Sequence, residues 1–156
     1  MMNLAILGST GSIGETTLNI IRKNKNNFKI KLLSTNTNIK KIYHQAIEFN
    51  VKNIVINNKK INNYWKMKFN EKNINIFHDF DNLTKLFKKK LNYVMNAISG
   101  IDGLEPTLKI IKHTNKIAIA NKESIICGWN LINNQLKKNR TTFIPVDSEH
   151  FSIHKL

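Results

Sequence analysis

Residues 4–14 read Leu4-Ala5-Ile6-Leu7-Gly8-Ser9-Thr10-Gly11-Ser12-Ile13-Gly14, and this stretch decides the fold. Four apolar residues of strand type run into three glycines, and a segment of helical character follows directly. In such a strand–turn–helix unit Gly8 permits the tight turn, Gly11 lets the backbone approach a pyrophosphate, and Gly14 permits close packing of helix on strand. The spacing G-x-x-G-x-x-G is a variant of the usual G-x-G-x-x-G and predicts a dinucleotide site at the start of the helix. A glycine turn without a ligand is the simpler alternative.

Strand-type and helix-type segments alternate along the rest of the chain. The predicted strands are Leu4–Leu7, Ile30–Ser34, Asn53–Ile56, Ile74–Phe77, Tyr93–Ala97, Lys116–Ile119 and Thr142–Val146. The predicted helices are Ser12–Lys23, Ile39–Phe49, Lys60–Asn70, Asn82–Lys89, Gly103–His113 and Glu123–Lys138. This alternation predicts an α/β fold with a mainly parallel sheet and helices on both faces. Ligands of such sheets bind at the carboxyl ends of the strands, near the point where the strand order reverses.

Composition restricts the class of protein. The chain has 156 residues, of which 41% are hydrophobic, so it can form a compact domain with a core. No apolar run approaches the roughly 20 residues that span a bilayer, so we expect no membrane association. Cys127 is the single cysteine, which excludes an intrachain disulfide and fits a reducing, cytoplasmic setting.

The net charge of +15 suggests a nucleic-acid-binding module as one interpretation. The lysines are scattered, however, and only Lys88-Lys89-Lys90 forms a run. We interpret the charge mainly as a solvated surface, part of which can attract anionic ligands such as phosphates. Nucleic-acid binding stays the less favoured alternative.

The loop after the second predicted strand bears on the choice between NAD and NADP. Enzymes that use NAD commonly place Asp or Glu there to bind the ribose hydroxyls. Here the loop reads Asn36-Thr37-Asn38, with no acid, and Lys40 and Lys41 follow. A neutral loop beside lysines tolerates a 2′-phosphate better than a carboxylate does, so the sequence favours NADP.

Two further motifs follow predicted strands. Ala97–Leu104 closes one strand and opens a helix, either as a structural turn or as a ligand contact. Asn121, Lys122 and Glu123 come directly after the next strand and place three hydrogen-bonding side chains at its carboxyl edge. Ordinary polar residues at a helix start are the alternative for this second motif.

The segment Ile144-Pro145-Val146-Asp147-Ser148-Glu149-His150 carries the most chemical character. On an extended chain Asp147 and Glu149 lie on the same side, because side chains alternate. Two carboxylates placed this way repel unless a cation or a proton lies between them, and hard oxygen ligands suit Mg²⁺ or Mn²⁺. Two solvated surface acids are the alternative. His150 and His154 are interpreted as ordinary polar residues because imidazole is not favoured by magnesium-type sites.

Together these motifs resemble the 1-deoxy-D-xylulose 5-phosphate reductoisomerase family. The residues that carry the resemblance are Ile6–Gly14, Gly103-Leu104 with Pro106-Thr107, Ala120–Ser124 and Pro145–His150. The four motifs occur in the family's order and at near-family spacing. The resemblance spans nearly the whole chain but well under half of the family's length.

The resemblance implies a Rossmann-like, doubly wound domain in an enzyme of the non-mevalonate isoprenoid pathway. Family members rearrange 1-deoxy-D-xylulose 5-phosphate and reduce the product with NADPH to 2-C-methyl-D-erythritol 4-phosphate, with Mg²⁺ or Mn²⁺ chelating substrate oxygens. The implied NADPH contacts are Thr10, Gly11, Ser12, Ile13, Asn36, Thr37, Asn38, Asn121 and Glu123. The implied catalytic set is Lys122, Ser148 and Glu149, with Lys122 and Ser148 as substrate contacts. The implied metal ligands are Asp147 and Glu149, two of three carboxylates.

Two departures from the family pattern affect these expectations. Asn36 and Thr37 replace a small residue or Gly and then a Lys or Arg, so the 2′-phosphate loses its usual partner unless Lys40 or Lys41 substitutes. Beyond His150 the sequence keeps little of the family pattern. We expect residues 1–129 to form the NADPH-binding domain and residues 130–156 to begin the catalytic domain. We therefore expect an incomplete N-terminal portion of a homodimeric enzyme, or alternatively a non-catalytic NADP-binding remnant.

Overall fold

The computed structural model describes residues 1–146, which form a single seven-stranded parallel sheet. The strands lie in the order β4-β3-β2-β1-β5-β6-β7. Their bounds are β1 Met2–Leu7, β2 Phe28–Thr35, β3 Asn53–Ile56, β4 Asn75–Phe77, β5 Tyr93–Asn96, β6 Lys116–Ile119 and β7 Thr142–Pro145. Because β1 is flanked by β2 and β5, the strand order reverses at β1, and the carboxyl ends of β1 and β5 border the crevice where ligands bind in sheets of this type.

Helices cover both faces of the sheet. Their bounds are α1 Ser12–Lys23, α2 Ile39–Glu48, α3 Asn63–Glu71, α4 Leu83–Leu86, α5 Leu104–Ile110 and α6 Lys122–Asn139. Short 3₁₀ turns cover Lys25–Asn27, Ile101–Gly103 and Ile111–His113. Helices α1, α2 and α3 contribute to one apolar core, and α4, α5 and α6 contribute to the other. This arrangement confirms the predicted doubly wound α/β fold.

The alternation of side chains along β1 shows why this sequence forms a two-sided sheet. Leu4 and Ile6 lie in the core beneath α1 and α2, whereas Ala5 and Leu7 lie in the core beneath α5 and α6. All four residues are buried, as expected for a central parallel strand that is covered on both faces.

Some predicted helices differ in extent from the observed ones. The predicted helix Asn82–Lys89 is reduced to Leu83–Leu86. Phe87 adopts an extended backbone and packs against the second apolar core, the one to which α4, α5 and α6 contribute. The predicted helix Gly103–His113 divides into α5 and two 3₁₀ turns. Helix α3 begins at Asn63, where the side chain of Asn62 accepts a hydrogen bond from the Trp65 N–H at 3.1 Å.

Residues 1–146 contain no helix that is both long enough and apolar enough to span a bilayer. Helix α6 continues across residue 129, and β7 pairs with β6 in the same parallel sheet. Residues 130–145 therefore contribute directly to the sheet domain.

One buried histidine should make folding stability depend on pH. His113 is 7% exposed, and its Nε2 has no hydrogen-bond partner within residues 1–146. Burial lowers the pKa of His113 below its ordinary value of 6.5, and the positive charges of Lys112 and Lys90 lower it further. The unfolded chain therefore binds a proton at a higher pH than the folded chain does.

We expect the His113 contribution to the free energy of unfolding to be complete above about pH 6.5 and to decrease as the pH falls towards the lowered pKa. His113→Gln should flatten the decline in stability between about pH 7 and pH 5, measured by urea denaturation at each pH. The matched control is His44→Gln at an exposed position on α2. An identical pH dependence in wild type and His113→Gln would contradict the expectation.

Candidate dinucleotide-binding site

The loop between β1 and α1 requires glycine at two positions. Gly8 adopts a φ of +73°, and a Cβ there would lie 2.7 Å from the carbonyl oxygen of Ala97. A Cβ on Gly14 would lie 2.6 Å from the Cα of Ser9. The first glycine therefore permits the close approach of β1 to the turn after β5, and the last permits the close approach of α1 to its own preceding loop.

Gly11 differs from these two because a Cβ there would make an ordinary contact, 3.5 Å from the Gly8 carbonyl oxygen. It is exposed, precedes α1 as the N-cap residue, and provides no side chain to cap the helix. The first N–H groups of a helix have no intrahelical partner and carry the positive end of the helix dipole. This end of α1 can therefore accept an anionic group such as a pyrophosphate.

The end of β2 holds the loop in place. The Gly8 N–H donates to Ser34 Oγ at 2.9 Å, and the Ser9 N–H donates to the Ser34 carbonyl oxygen at 2.9 Å. The hydroxyls of Thr10 and Thr35 are 2.7 Å apart and hydrogen-bonded. These protein contacts fix the shape of the loop, which reduces the entropic cost of binding a ligand there.

Two clefts meet at this loop. The smaller, about 270 Å³, lies between the loop and the ends of β2 and β3; it is lined by Gly8, Thr10, Gly11, Ser34, Thr35, Asn36, Asn57, Ala97, Ile98, Ser99 and Asp102. The larger, about 480 Å³, extends from α1 to the start of α6; it is lined by Ile13, Ala97, Ile98, Ser99, Gly100, Ala120, Asn121, Lys122, Glu123 and Val146. Both lie at the carboxyl edge of the sheet, on either side of the strand-order reversal.

The residues of the loop after β2, Asn36–Asn38, lie in different surroundings. Asn36 lines the smaller cleft, and Thr37 is exposed beside it. The Asn38 side chain caps α2 by accepting a hydrogen bond from the Lys41 N–H at 3.2 Å. Lys40 is exposed, whereas Lys41 Nζ donates to the Thr10 carbonyl oxygen at 3.1 Å.

The turn after β5 is held by hydrogen bonds, which supports the structural interpretation of its sequence, and the ligand contact stays a prediction. The buried Asn96 amide donates to the Gly103 carbonyl oxygen at 3.0 Å and to Thr107 Oγ1 at 2.6 Å. The side-chain Oδ1 of Asn96 accepts a hydrogen bond from the Ile98 N–H at 3.1 Å. These bonds fix the shape of the turn, while Ile98 and Ser99 line both clefts.

Asn121 begins α6 and lies at the far side of the larger cleft. Its Oδ1 accepts a hydrogen bond from the Ser124 N–H at 2.9 Å, so the side chain caps the helix. Its Nδ2 is buried, and within residues 1–146 this atom has no hydrogen-bond partner. This atom packs towards Gly103, while the residue as a whole lines the larger cleft. Lys122 and Glu123 are exposed on the cleft wall.

The predicted residues Asp147, Ser148 and Glu149 lie outside the described residues. Within residues 1–146 there is no cluster of three or more His, Cys, Asp or Glu side chains that could hold a metal ion.

Several residues at the site were not predicted from the sequence. Ser34 and Asn57 line the smaller cleft, and the buried Gln45 contacts the loop from α2. A polar residue at the end of a predicted strand was a usable signal for Ser34. Gln45 gave no such signal, because it lies 36 residues from its partner Ser9 within an amphipathic helix.

A glycine loop at the strand-order reversal of a doubly wound sheet, with clefts on both sides, defines a Rossmann-type α/β protein, the class in which dinucleotides bind at this position. The family model for 1-deoxy-D-xylulose 5-phosphate reductoisomerase matches residues 4–128. The chain therefore belongs to the 1-deoxy-D-xylulose 5-phosphate reductoisomerase family, which confirms the predicted family.

Individual relatives agree with this assignment. The chain is 54% identical over 161 residues to the reductoisomerase of Pelagibacter ubique, covering 100% of this chain and 41% of the relative. The reductoisomerase of Clostridium tetani is 35% identical over 158 residues, with 98% of this chain and 41% of the relative covered. The chain thus spans about two fifths of the length of these relatives.

Solved structures show the same similarity. The Zymomonas mobilis reductoisomerase in complex with NADPH has a TM-score of 0.85 at 32% identity, covering 96% of this chain and 39% of that chain. A DOX-P reductoisomerase in complex with NADPH, fosmidomycin and magnesium has a TM-score of 0.86 at 32% identity. The match covers 96% of this chain and 37% of that chain. The cofactors predicted from the sequence, NADPH and a divalent metal, are thus those bound by these neighbours.

Proposed function

We propose that this chain binds NADPH and provides the cofactor-binding part of a reductoisomerase. The reaction proposed is the metal-dependent rearrangement and reduction of 1-deoxy-D-xylulose 5-phosphate to 2-C-methyl-D-erythritol 4-phosphate. The observation that carries the proposal is the loop Gly8–Gly14, which presents the start of α1 to two clefts at the strand-order reversal. The family membership supports the reaction type.

Each cleft suits one part of the cofactor. The start of α1, at Gly11, Ser12 and Ile13, would hold the pyrophosphate through backbone N–H groups. The smaller cleft, with Thr10 and Asn36, would take the adenosine half. The two halves of a dinucleotide lie on opposite sides of the strand-order reversal, so the larger cleft would take the nicotinamide half.

The larger cleft provides groups suited to the reaction. Asn121 and Glu123, which line this cleft, would contact the nicotinamide half of the cofactor. The Lys122 ammonium would attract the anionic sugar phosphate. Bound NADPH supplies the hydride for the reduction, while these side chains orient the two reactants against each other.

The remaining predicted residues follow Val146, which lines the larger cleft. We propose Asp147 and Glu149 as ligands of Mg²⁺ or Mn²⁺, and Ser148 and Glu149 as part of the catalytic set. Carboxylate oxygens are the ligands that these cations prefer.

Because α6 and β7 carry the sheet domain past the expected boundary at residue 129, the NADPH-binding part would extend through Pro145. The residues after it would lead into the catalytic domain. A homodimer and a cytoplasmic location stay predictions.

Asn121→Ser should separate capping from cofactor contact. Serine retains the cap of α6 but removes the amide donor, so we expect NADPH affinity to fall about tenfold with little change in stability. Isothermal titration with NADPH and thermal denaturation would measure the two effects. Asn62→Ser is the matched control, since Asn62 caps α3 in the same way and lines neither cleft. Equal NADPH affinities for the two variants would contradict the assigned contact.

The reaction itself is best tested in a chimera. Residues 1–146 of this chain would replace the matching residues of the Pelagibacter ubique reductoisomerase, to which the chain is 54% identical. We expect NADPH consumption that depends on both 1-deoxy-D-xylulose 5-phosphate and Mn²⁺. A folded chimera that binds NADPH without turnover would contradict the proposed function and favour the non-catalytic NADP-binding alternative.

A further inference from the structure

We propose that Lys41 and Gln45 are positioning residues that hold the loop Gly8–Gly14 in the shape that receives the cofactor pyrophosphate. The two residues, here called the α2 clamp, lie one turn apart on the same side of α2. The inference rests on the proposed NADPH binding, because cofactor affinity is its readout.

Gln45 provides the geometric half of the α2 clamp. The residue is 4% exposed, and all three of its side-chain hydrogen bonds are directed at the loop or at the first turn of α1. Its Oε1 accepts from Ser9 Oγ at 2.8 Å, and its Nε2 donates to the Ser9 carbonyl oxygen at 3.0 Å and to Glu15 Oε2 at 3.0 Å. One buried amide therefore fixes both the backbone and the side chain of Ser9 relative to α1.

Lys41 provides the electrostatic half. Glu15 places a carboxylate in the first turn of α1, next to the position where a pyrophosphate would bind. Lys41 Nζ lies 2.9 Å from Glu15 Oε2 and 3.1 Å from the Thr10 carbonyl oxygen. The ammonium group thus offsets the negative charge of Glu15 and also holds the loop backbone.

The α2 clamp also joins the two parts of the cofactor site. Helix α2 begins directly after Asn36–Asn38, on the adenosine side, and the clamp extends from this helix to the pyrophosphate loop. Displacement of α2 should therefore disturb the pyrophosphate site, although neither Lys41 nor Gln45 lines either cleft.

The first test replaces Gln45 by Met, which keeps the length of the side chain but removes its three hydrogen bonds. We expect NADPH affinity to fall about tenfold. Affinity for adenosine 2′-monophosphate, which lacks the pyrophosphate, should change by less than about twofold. Gln135→Met on α6 is the matched control, because Gln135 bonds only Asn139 through its side chain. Gln45→Glu gives a second variant that retains the acceptor of the Ser9 hydroxyl if Gln45→Met does not fold.

The second test uses charge. Lys41→Met should weaken NADPH and NADH binding equally, by about tenfold, because it leaves Glu15 with only the more distant Arg22 guanidinium, 4.0 Å away, among the cations of residues 1–146. Adding Glu15→Gln to Lys41→Met should restore both affinities to within about threefold of wild type.

The outcomes separate this inference from the proposed function. Absence of NADPH binding by the wild-type chain would contradict the proposed function. The positioning role would be overturned if the wild-type chain binds NADPH normally and the Gln45 variants lose affinity for NADPH and for adenosine 2′-monophosphate to the same extent. A different result for Lys41→Met would be weaker binding of NADPH but not of NADH, with no recovery on adding Glu15→Gln. That result would overturn the electrostatic role and assign Lys41 to the 2′-phosphate.

Discussion

Gly11→Ala is expected to weaken NADPH binding by about a hundredfold, which corresponds to about 2.7 kcal/mol, while folding stability stays close to that of the wild type. The two effects separate because Gly11 is exposed at the mouth of the site. Its φ of −78° is accessible to alanine, and a Cβ there would meet only the Gly8 carbonyl oxygen at 3.5 Å, an ordinary contact. The added methyl group would instead occupy the space that the pyrophosphate needs against the backbone.

Isothermal titration with NADPH and urea denaturation measure these two effects on the same protein. Thr16→Ala is the control, since Thr16 is an exposed residue of α1 that lines neither dinucleotide cleft. It should change NADPH affinity by no more than about twofold. Unchanged affinity in Gly11→Ala would show that the pyrophosphate does not approach the backbone at this loop.

Gly14→Ala is expected to destabilise the fold by about 3 kcal/mol. Helix propensity alone predicts the opposite sign, because alanine is favoured over glycine by about 1 kcal/mol within a helix. In this structure, however, the new Cβ would lie 2.6 Å from Ser9 Cα and would also clash with the Gly8 carbonyl oxygen. Both are backbone atoms, so the loop or α1 must move.

Gly128→Ala on α6 is the matched control for this substitution. The atoms nearest to a Cβ on Gly128 would be side-chain atoms of Leu104, which can rotate away. Urea denaturation should therefore give a smaller loss of stability for Gly128→Ala than for Gly14→Ala. A Gly14→Ala variant as stable as the wild type would contradict the close packing of α1 against the loop.

Much of the fold could be predicted because local patterns and long-range packing agree. The strand at Leu4–Leu7 and the glycine loop are adjacent in sequence, so one local pattern specifies the strand, the turn and the start of α1. The apolar character of the central strands likewise follows from burial on both faces.

Features that depend on distant contacts could not be predicted in this way. The early end of α4 reflects Phe87, which packs into the second core with its ring 6.1 Å from that of His113. The Asn38 carboxamide caps α2, a role that was not predicted for it from the sequence. The role of Gln45 depends on a partner 36 residues away, which no local periodicity can indicate.

The most direct test of the account is an isothermal titration of the purified chain with NADPH and, in parallel, with NADH. We predict saturable binding of one NADPH per chain, tighter than that of NADH, because the loop after β2 carries no acid at Asn36–Asn38 to oppose the 2′-phosphate. Comparable affinities would contradict the NADP preference, and the absence of saturable binding to either nucleotide would contradict the assignment of the loop Gly8–Gly14 as a dinucleotide site.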